Sequence, residues 1–175
     1  MHNLVTGALV KHLANHKVES NQHLTAAEFL TENTDYAALD AGAATTAADL
    51  TEACGSIQFF QHATERKIVA LCYFHGCMQG PPNGVHGGGV FQCFHDGFTA
   101  ALPLVNNPRP SSSAGAAKAP LLKHMEVSFK ALTPLERNVL MEVWVVGEDG
   151  DGRLQAVLKD HESGKVLAES SCDAF

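Results

Sequence analysis

The sequence predicts an α+β domain in which a curved antiparallel sheet wraps around one long apolar helix. Three observations predict it. A proline- and glycine-rich loop at residues 81–89 opens directly into a segment, Val90 to Leu102, whose large apolar residues recur at helical spacing. Two β-rich segments precede that helix, and four more follow it with turn residues between them. A helix with so few polar residues has to be covered, and a curved antiparallel sheet is the cover that the remaining segments supply.

The loop reads Pro81-Pro82-Asn83-Gly84-Val85-His86-Gly87-Gly88-Gly89. Proline has no amide hydrogen and the Asn-Gly pair favours turns, so this stretch is neither helix nor central strand. In the helix that follows, Val90, Phe91, Phe94, Phe98, Ala101 and Leu102 form the stripe expected to be buried. Gly89, Cys93, Asp96 and Ala100 fall on the other side, where small side chains permit close approach and Asp96 is the only carboxylate. Glycines at a helix start leave backbone N–H groups bare, and these, with the positive end of the helix dipole, can hold a carbonyl oxygen or a phosphate. An acid two or three turns further on can then act as base or nucleophile. The spacing alone also allows, and on its own favours, glycines that merely end a loop and an aspartate bonded to backbone across a subunit contact.

The remaining elements follow in order. Residues 3 to 39 have a helical, moderately amphipathic pattern, with Thr25 and Glu28 spaced as a capping box that starts a helix through Phe29 and Leu30. Residues 41–50, rich in Ala and Thr, form either a short helix or a connector. Ser56 to His62 and Lys67 to His75 read as a hairpin joined by Ala63-Thr64-Glu65-Arg66. Residues 106–120, with Pro108, Pro110, Gly115 and Pro120, form a long loop that borders the site. Beyond it, Lys123, Met125, Val127, Phe129 and Ala131 alternate with His124, Glu126, Ser128 and Lys130, a two-residue period that ends at Leu132-Thr133-Pro134. Val139 to Gly147 is a nearly continuous apolar run suited to a central strand. Asp149 to Gly152 turns the chain, Leu154, Ala156 and Leu158 point inward, His161 to Gly164 turns it again, and Val166 to Cys172 is the last strand. Residues 1–54 are thus an extension laid on a core domain of residues 55–175.

Composition excludes several classes. With 175 residues the chain makes one domain that buries about 70% of its unfolded surface. Twelve Lys and Arg against nineteen Asp and Glu give a net charge of −7, so there is no basic footprint for nucleic acid or an anionic membrane. No run reaches the roughly 20 apolar residues of a membrane helix. Five scattered cysteines, Cys54, Cys72, Cys77, Cys93 and Cys172, suggest reduced, buried thiols in an intracellular compartment, here cytoplasmic. Met1 to Val18 carries Lys11 and Lys17 but no Arg and no cleavage pattern, which favours a packed helix over a mitochondrial presequence. Cys72, His75, Cys77, Cys93 and His95 lack the Cys-x-x-Cys spacing of a zinc site, so no metal is expected. His2, His12, His16 and His23 are too irregularly spaced for a ligand set.

From Gly55 to Phe175 the chain resembles the hotdog-fold thioesterase superfamily, in the branch of small phenylacetyl-CoA and acyl-CoA thioesterases. The resemblance rests on the loop into Val85-His86-Gly87-Gly88, the acid-bearing helix, the strand from Met125 to Pro134, and Gly164-Lys165-Val166-Leu167-Ala168, similar to the Gly-Lys-x-x-Ala ending of that family. It implies a homodimer, or a dimer of dimers, with sheets joined edge to edge and two active sites at the interface. It also implies that an amide just after His86, from Gly87 or Gly88, polarises a thioester carbonyl while an acid on the partner's helix attacks or activates water. Asn83 and Gly89 would help bind substrate. Coenzyme A would enter as part of the substrate, with Arg109, Lys118, Lys123, Arg137 and Lys165 as candidate phosphate ligands, and no bound cofactor is implied.

Three departures from that pattern stand out. The family acid usually follows the histidine by nine positions, which here is His95, whereas Asp96 is the tenth. Asp96 falls in register if Gly88 and Gly89 are the glycine pair and Gly87 stands in the loop in the histidine's place. Where many relatives carry Ser or Thr, this chain has Lys123 or His124, and His124 is the candidate substitute. The extension at residues 1–54 has no counterpart in the shortest relatives. The expected function is therefore acyl-CoA hydrolysis with Asp96 as base or nucleophile. The alternative is a non-catalytic domain that binds acyl-CoA or serves as a dimeric scaffold.

Overall fold

The computed structural model describes residues 24–39, 55–105, 121–147 and 152–174. The readings made above for residues 1–18, 41–50, 106–120 and 149–151 lie outside the described residues. So do Cys54, Arg109 and Lys118.

Seven strands build one antiparallel sheet: β1 (Tyr36–Ala38), β2 (Gly55–His62), β3 (Lys67–Phe74), β4 (Leu122–Phe129), β5 (Asn138–Val146), β6 (Arg153–Asp160) and β7 (Val166–Ala174). Their order is β1-β2-β3-β5-β6-β7-β4. The expected hairpin is β2 with β3, in a register that runs from Gly55 opposite Phe74 to Gln61 opposite Ile68. The apolar run at 139–147 is central, as its composition requires, with β3 on one side and β6 on the other. Among the described residues the sheet has two edges, three-residue β1 and eight-residue β4.

Among the described residues, two α-helices occupy opposite faces of the sheet. Helix α1 (Ala26–Glu32) begins at the capping box: Thr25 accepts from the Glu28 amide at 3.3 Å, and the Glu28 carboxylate accepts from the Thr25 amide at 2.7 Å. It seats Phe29 on Phe60, Val69, Leu71 and Leu140 of the outer face. The helical pattern does not continue to Leu39. After Asn33 the chain extends, and Tyr36 to Ala38 pair with His62 to Phe60, because the Tyr36 ring gains edge contacts with both Phe29 and His62.

Helix α2 (Gly87–Val105) lies on the inner face, where Val90, Cys93, Phe94, Phe98, Ala101 and Leu104 meet Ile68, Met141, Val143, Leu154 and Leu158. A Cβ at Gly97 would run into the Met141 side chain, so glycine lets helix and sheet pack closely here without moving it. The far end of the helix is held by Arg66 of the β2–β3 turn, whose guanidinium donates to the Leu104 carbonyl at 2.8 and 3.0 Å and to that of Val105 at 3.3 Å. Among the described residues no helix is long and apolar enough to cross a membrane.

Three further expectations are corrected. Phe91 is not part of the buried stripe but 45% exposed, and among the described residues the sheet covers α2 on one side only. Cys77 is exposed, whereas Cys72, Cys93 and Cys172 are buried and all four are free thiols. The apolar run of β5 contains a buried carboxylate, Glu142, which is tolerated because Lys159 (2.7 Å) and Lys67 (3.2 Å) both reach it on the outer face.

Candidate active site

The loop at 81–86 is fixed before the helix begins. Asn83 takes a positive φ of 60° in a tight turn in which the Gly84 amide donates to the Pro81 carbonyl at 3.0 Å. The Gly80 amide donates to the Gly84 carbonyl, Val85 donates to the Thr133 carbonyl, and His86 donates to the Met78 carbonyl, each at 2.9 Å. Gly80 passes so close to His86 that a Cβ there would lie 2.7 Å from the His86 Cα, a contact with backbone rather than with a flexible tip. Gly80→Ala is therefore expected to destabilise the protein by about 1–3 kcal/mol and to displace His86. Thermal unfolding together with the His86 amide resonance checks this.

Helix α2 starts at Gly87, so the third glycine is not taken up in the loop: all three glycines occupy the first helical turn, with His86 before them. The Gly89 amide is taken, donating to the His86 carbonyl at 2.9 Å and to His86 Nδ1 at 3.0 Å. This leaves Nε2 as the protonated nitrogen of the neutral ring. The amides of Gly87 and Gly88 have no hydrogen-bond partner among the described residues, and both glycines are exposed. Two N–H groups at the start of a 19-residue helix form an electropositive point suited to a carbonyl oxygen or oxyanion. Around it lie exposed apolar side chains: Phe129, 55% exposed, would touch a Cβ on Gly87 at 3.5 Å, and Leu132, 51% exposed, overlies Gly84.

Asp96 faces partly inward, its side chain 15% exposed against 49% for His95. Gln92 Nε2 donates to Asp96 Oδ1 at 2.8 Å, and His95 Nδ1 lies 3.4 Å from the same oxygen. On its inner side the carboxylate is near the buried Cys72–Cys93 contact (Sγ to Sγ 3.5 Å). There the Cys93 hydrogen bond, burial and the Asp96 charge together push the Cys72 thiol up. Gln92 escaped the sequence reading, although its place four residues before Asp96 on a helix was the signal that could have found it.

The structure does not bring every candidate together in one chain. Along α2, Gly88 and Asp96 are eight residues, or about 12 Å, apart. His124 is on the outer side of β4, opposite Met125 and Val127, with its Nε2 3.2 Å from Glu126. Also on that outer side is an open hollow of about 860 Å³ beside Glu126, Trp144, Gln155 and Glu169, separated from the helix start by the sheet. Of the candidate phosphate ligands, Arg137 pairs with Glu162 at 3.8 Å. Among the described residues no group of three or more His, Cys, Asp or Glu is placed to hold a metal ion.

Comparison with solved structures shows what this arrangement of sheet and helix is. The PaaI protein of the phenylacetic acid degradation operon of E. coli superposes with a TM-score of 0.55 at 13% identity, over 73% of this chain and 83% of that one. An N33D mutant of the phenylacetic acid degradation protein PaaI from Thermus thermophilus gives 0.54 at 13%, over 73% and 97%. The chain has the hotdog fold. Zebrafish thioesterase superfamily member 2 shares that hotdog over 97% of this chain and 94% of its own, with a TM-score of 0.51 and 11% identity. No family model matches the sequence. No curated protein matches it either. The likeness is carried by the curved sheet and its central helix, not by residue identity.

Proposed function

We propose that the protein is an intracellular acyl-CoA thioesterase, active as a homodimer or a dimer of dimers. The observation that carries this reading is the pair of unpartnered amides at Gly87 and Gly88, on a helix whose only carboxylate is Asp96. The separation of about 12 Å along the helix is too great for both to reach one carbonyl from the same chain. A second copy, joined along the β4 edge, would bring its own α2 alongside, and the exposed Phe91, Phe129 and Leu132 are apolar surface that such a contact and an acyl chain would cover. The hotdog structures it resembles include proteins named as thioesterases, which supports the same reading.

In this mechanism the thioester oxygen accepts hydrogen bonds from the Gly87 and Gly88 amides, and His86 and Asn83 border the bound carbonyl. The partner subunit's Asp96 takes a proton from water, whose oxygen adds to the thioester carbon. The charge that develops on the carbonyl oxygen is held by the two amides. The C–S bond then breaks, and coenzyme A leaves as a thiolate that recovers the proton from the carboxyl group. Gln92 and His95 hold Asp96 Oδ1, which leaves Oδ2 to take the proton from water. A single oxyanion donor of this kind contributes about 100- to 1,000-fold in rate.

The test is release of coenzyme A thiol from a panel of acyl-CoA esters of differing chain length. Hydrolysis of at least one chain length, lost in Asp96→Ala and retained in His95→Ala, is the expected result. No hydrolysis at any length sinks the enzymatic reading and leaves a domain that binds acyl-CoA or serves as a scaffold.

A further inference from the structure

Outside the residues assigned a role, one exposed carboxylate is held in a way that core stability does not require. Glu136 lies two residues after Pro134 in the connection between β4 and β5 and takes a positive φ of 54°, a left-handed conformation that side chains with a Cβ rarely adopt and glycine adopts freely. Its side chain is more than half exposed, so it fills no core position. It is nonetheless tightly bonded. Oε1 accepts from the Gly76 amide at 2.7 Å, Oε2 accepts from the Tyr73 hydroxyl at 2.7 Å, and its own amide donates to the Phe74 carbonyl at 2.8 Å. His75 Nδ1 is 3.8 Å from Oε2. The Tyr73 hydroxyl and the Gly76 amide, in that order, hold the Glu136 carboxyl below the usual carboxylate range.

What Glu136 grips leads to the candidate site. Gly76 opens a short 3-10 turn (Gly76–Met78), closed by Met78 donating to the His75 carbonyl at 2.9 Å and Gln79 to that of Gly76 at 3.1 Å. The Met78 carbonyl at the end of that turn accepts the His86 amide at 2.9 Å, and Gly80 packs on the His86 backbone. His86 then orients the first turn of α2. On its other side the same loop is bridged to Pro134, two residues before Glu136. The carboxylate therefore closes a ring that runs from β3 through the 3-10 turn and His86 to the start of β5.

We propose that Glu136 is a positioning residue for this site: by fixing the Gly76–Met78 turn it sets the place of His86, whose carbonyl and Nδ1 hold the Gly89 amide, and with it the direction in which the neighbouring Gly87 and Gly88 amides point. The kinetic consequence rests on the thioesterase reading given above, whereas the placement of the amides does not. Glu136→Gly separates the two roles, because glycine accepts the left-handed backbone while losing the carboxylate. In this variant the protein stays folded, but the Gly76, His86, Gly87 and Gly88 amide resonances shift. Exchange of the His86 amide rises about tenfold or more. With an active thioester substrate kcat falls about 10- to 100-fold while KM stays within about twofold. Glu136→Gln, which keeps an oxygen for the Gly76 amide, restores the resonances and most of kcat. Unchanged His86 to Gly88 resonances and exchange in Glu136→Gly overturn the proposal, as does a Glu136→Gln variant that behaves like the glycine one. If Glu136→Gly does not fold, Tyr73→Phe decides, since it removes one of the two side-chain bonds without touching the backbone at 136; unchanged Gly76 and His86 resonances there overturn it too. A wild-type protein that hydrolyses no thioester defeats the functional reading alone, because the amide measurements still judge the clamp.

Discussion

Asp96→Asn lowers kcat for acyl-CoA hydrolysis by about 100- to 10,000-fold, the range expected when a positioned general base is lost. The substitution keeps the size of the side chain and an oxygen for Gln92 and His95 to bond, so folding is expected to be unchanged. A sharper result follows from pairing it with Gly87→Pro. Proline is well tolerated at the first position of a helix and removes only the amide hydrogen, and the contact a Cβ would make there, 3.5 Å from Phe129, is an ordinary one. Each variant alone is impaired at both sites of a dimer. A mixed dimer has one site in which the intact amides of the Asp96→Asn copy face the intact aspartate of the Gly87→Pro copy. Random exchange of subunits makes half the dimers mixed, so about one quarter of wild-type activity returns. No recovery on mixing sinks the idea that acid and amides come from different copies, and the recovered fraction is read from thiol release before and after subunit exchange.

Phe98→Ala is expected to cost about 3–5 kcal/mol of folding stability. Phe98 is fully buried on the face of α2 that meets the sheet, one turn beyond Phe94, with their rings stacked at 6.4 Å between centroids. Two features keep the neighbourhood from collapsing into the space left behind. The helix is pinned at its far end by Arg66, and at Gly97 it packs directly on the Met141 and Val143 side chains. Small domains carry about 5–15 kcal/mol in all, so this one truncation removes a large share. A urea midpoint that falls with an unchanged slope confirms it. A loss below about 1 kcal/mol would mean that the helix is held mainly from elsewhere.

Much of the architecture was legible because it is written in short-range periods. The two-residue alternation of β6, the turn at His161 to Gly164 and the Thr25–Glu28 cap each need only local chemistry, and each took the form expected; that of β4 holds at Met125 and Val127, but the strand ends at Phe129 instead of running on to Pro134. What escaped the reading depends on contacts that a period does not encode. Phe91 has the same hydrophobicity as Phe94 and differs only in facing away from the sheet. Tyr36 left the helical pattern because a strand edge and two aromatic partners lay within reach. Glu142 is buried only because two lysines from neighbouring strands converge on it. At the candidate site the glycines and Asp96 were visible as residue types. Their geometry was not: a count along the chain could not tell which glycine would begin the helix, nor that Gln92 and His95 would both turn to the same oxygen.

The unequal borders of the sheet bear on how far association can go. Among the described residues one flank is a strand of eight residues, and the opposite flank is a strand of only three, beside the end of a short helix. Growth by strand addition needs two long, compatible flanks, and the described residues supply one. If copies join like flank to like flank, as proposed for the active pair, the long flank of each is used up, and strand addition has no second long flank on which to run on into a fibre.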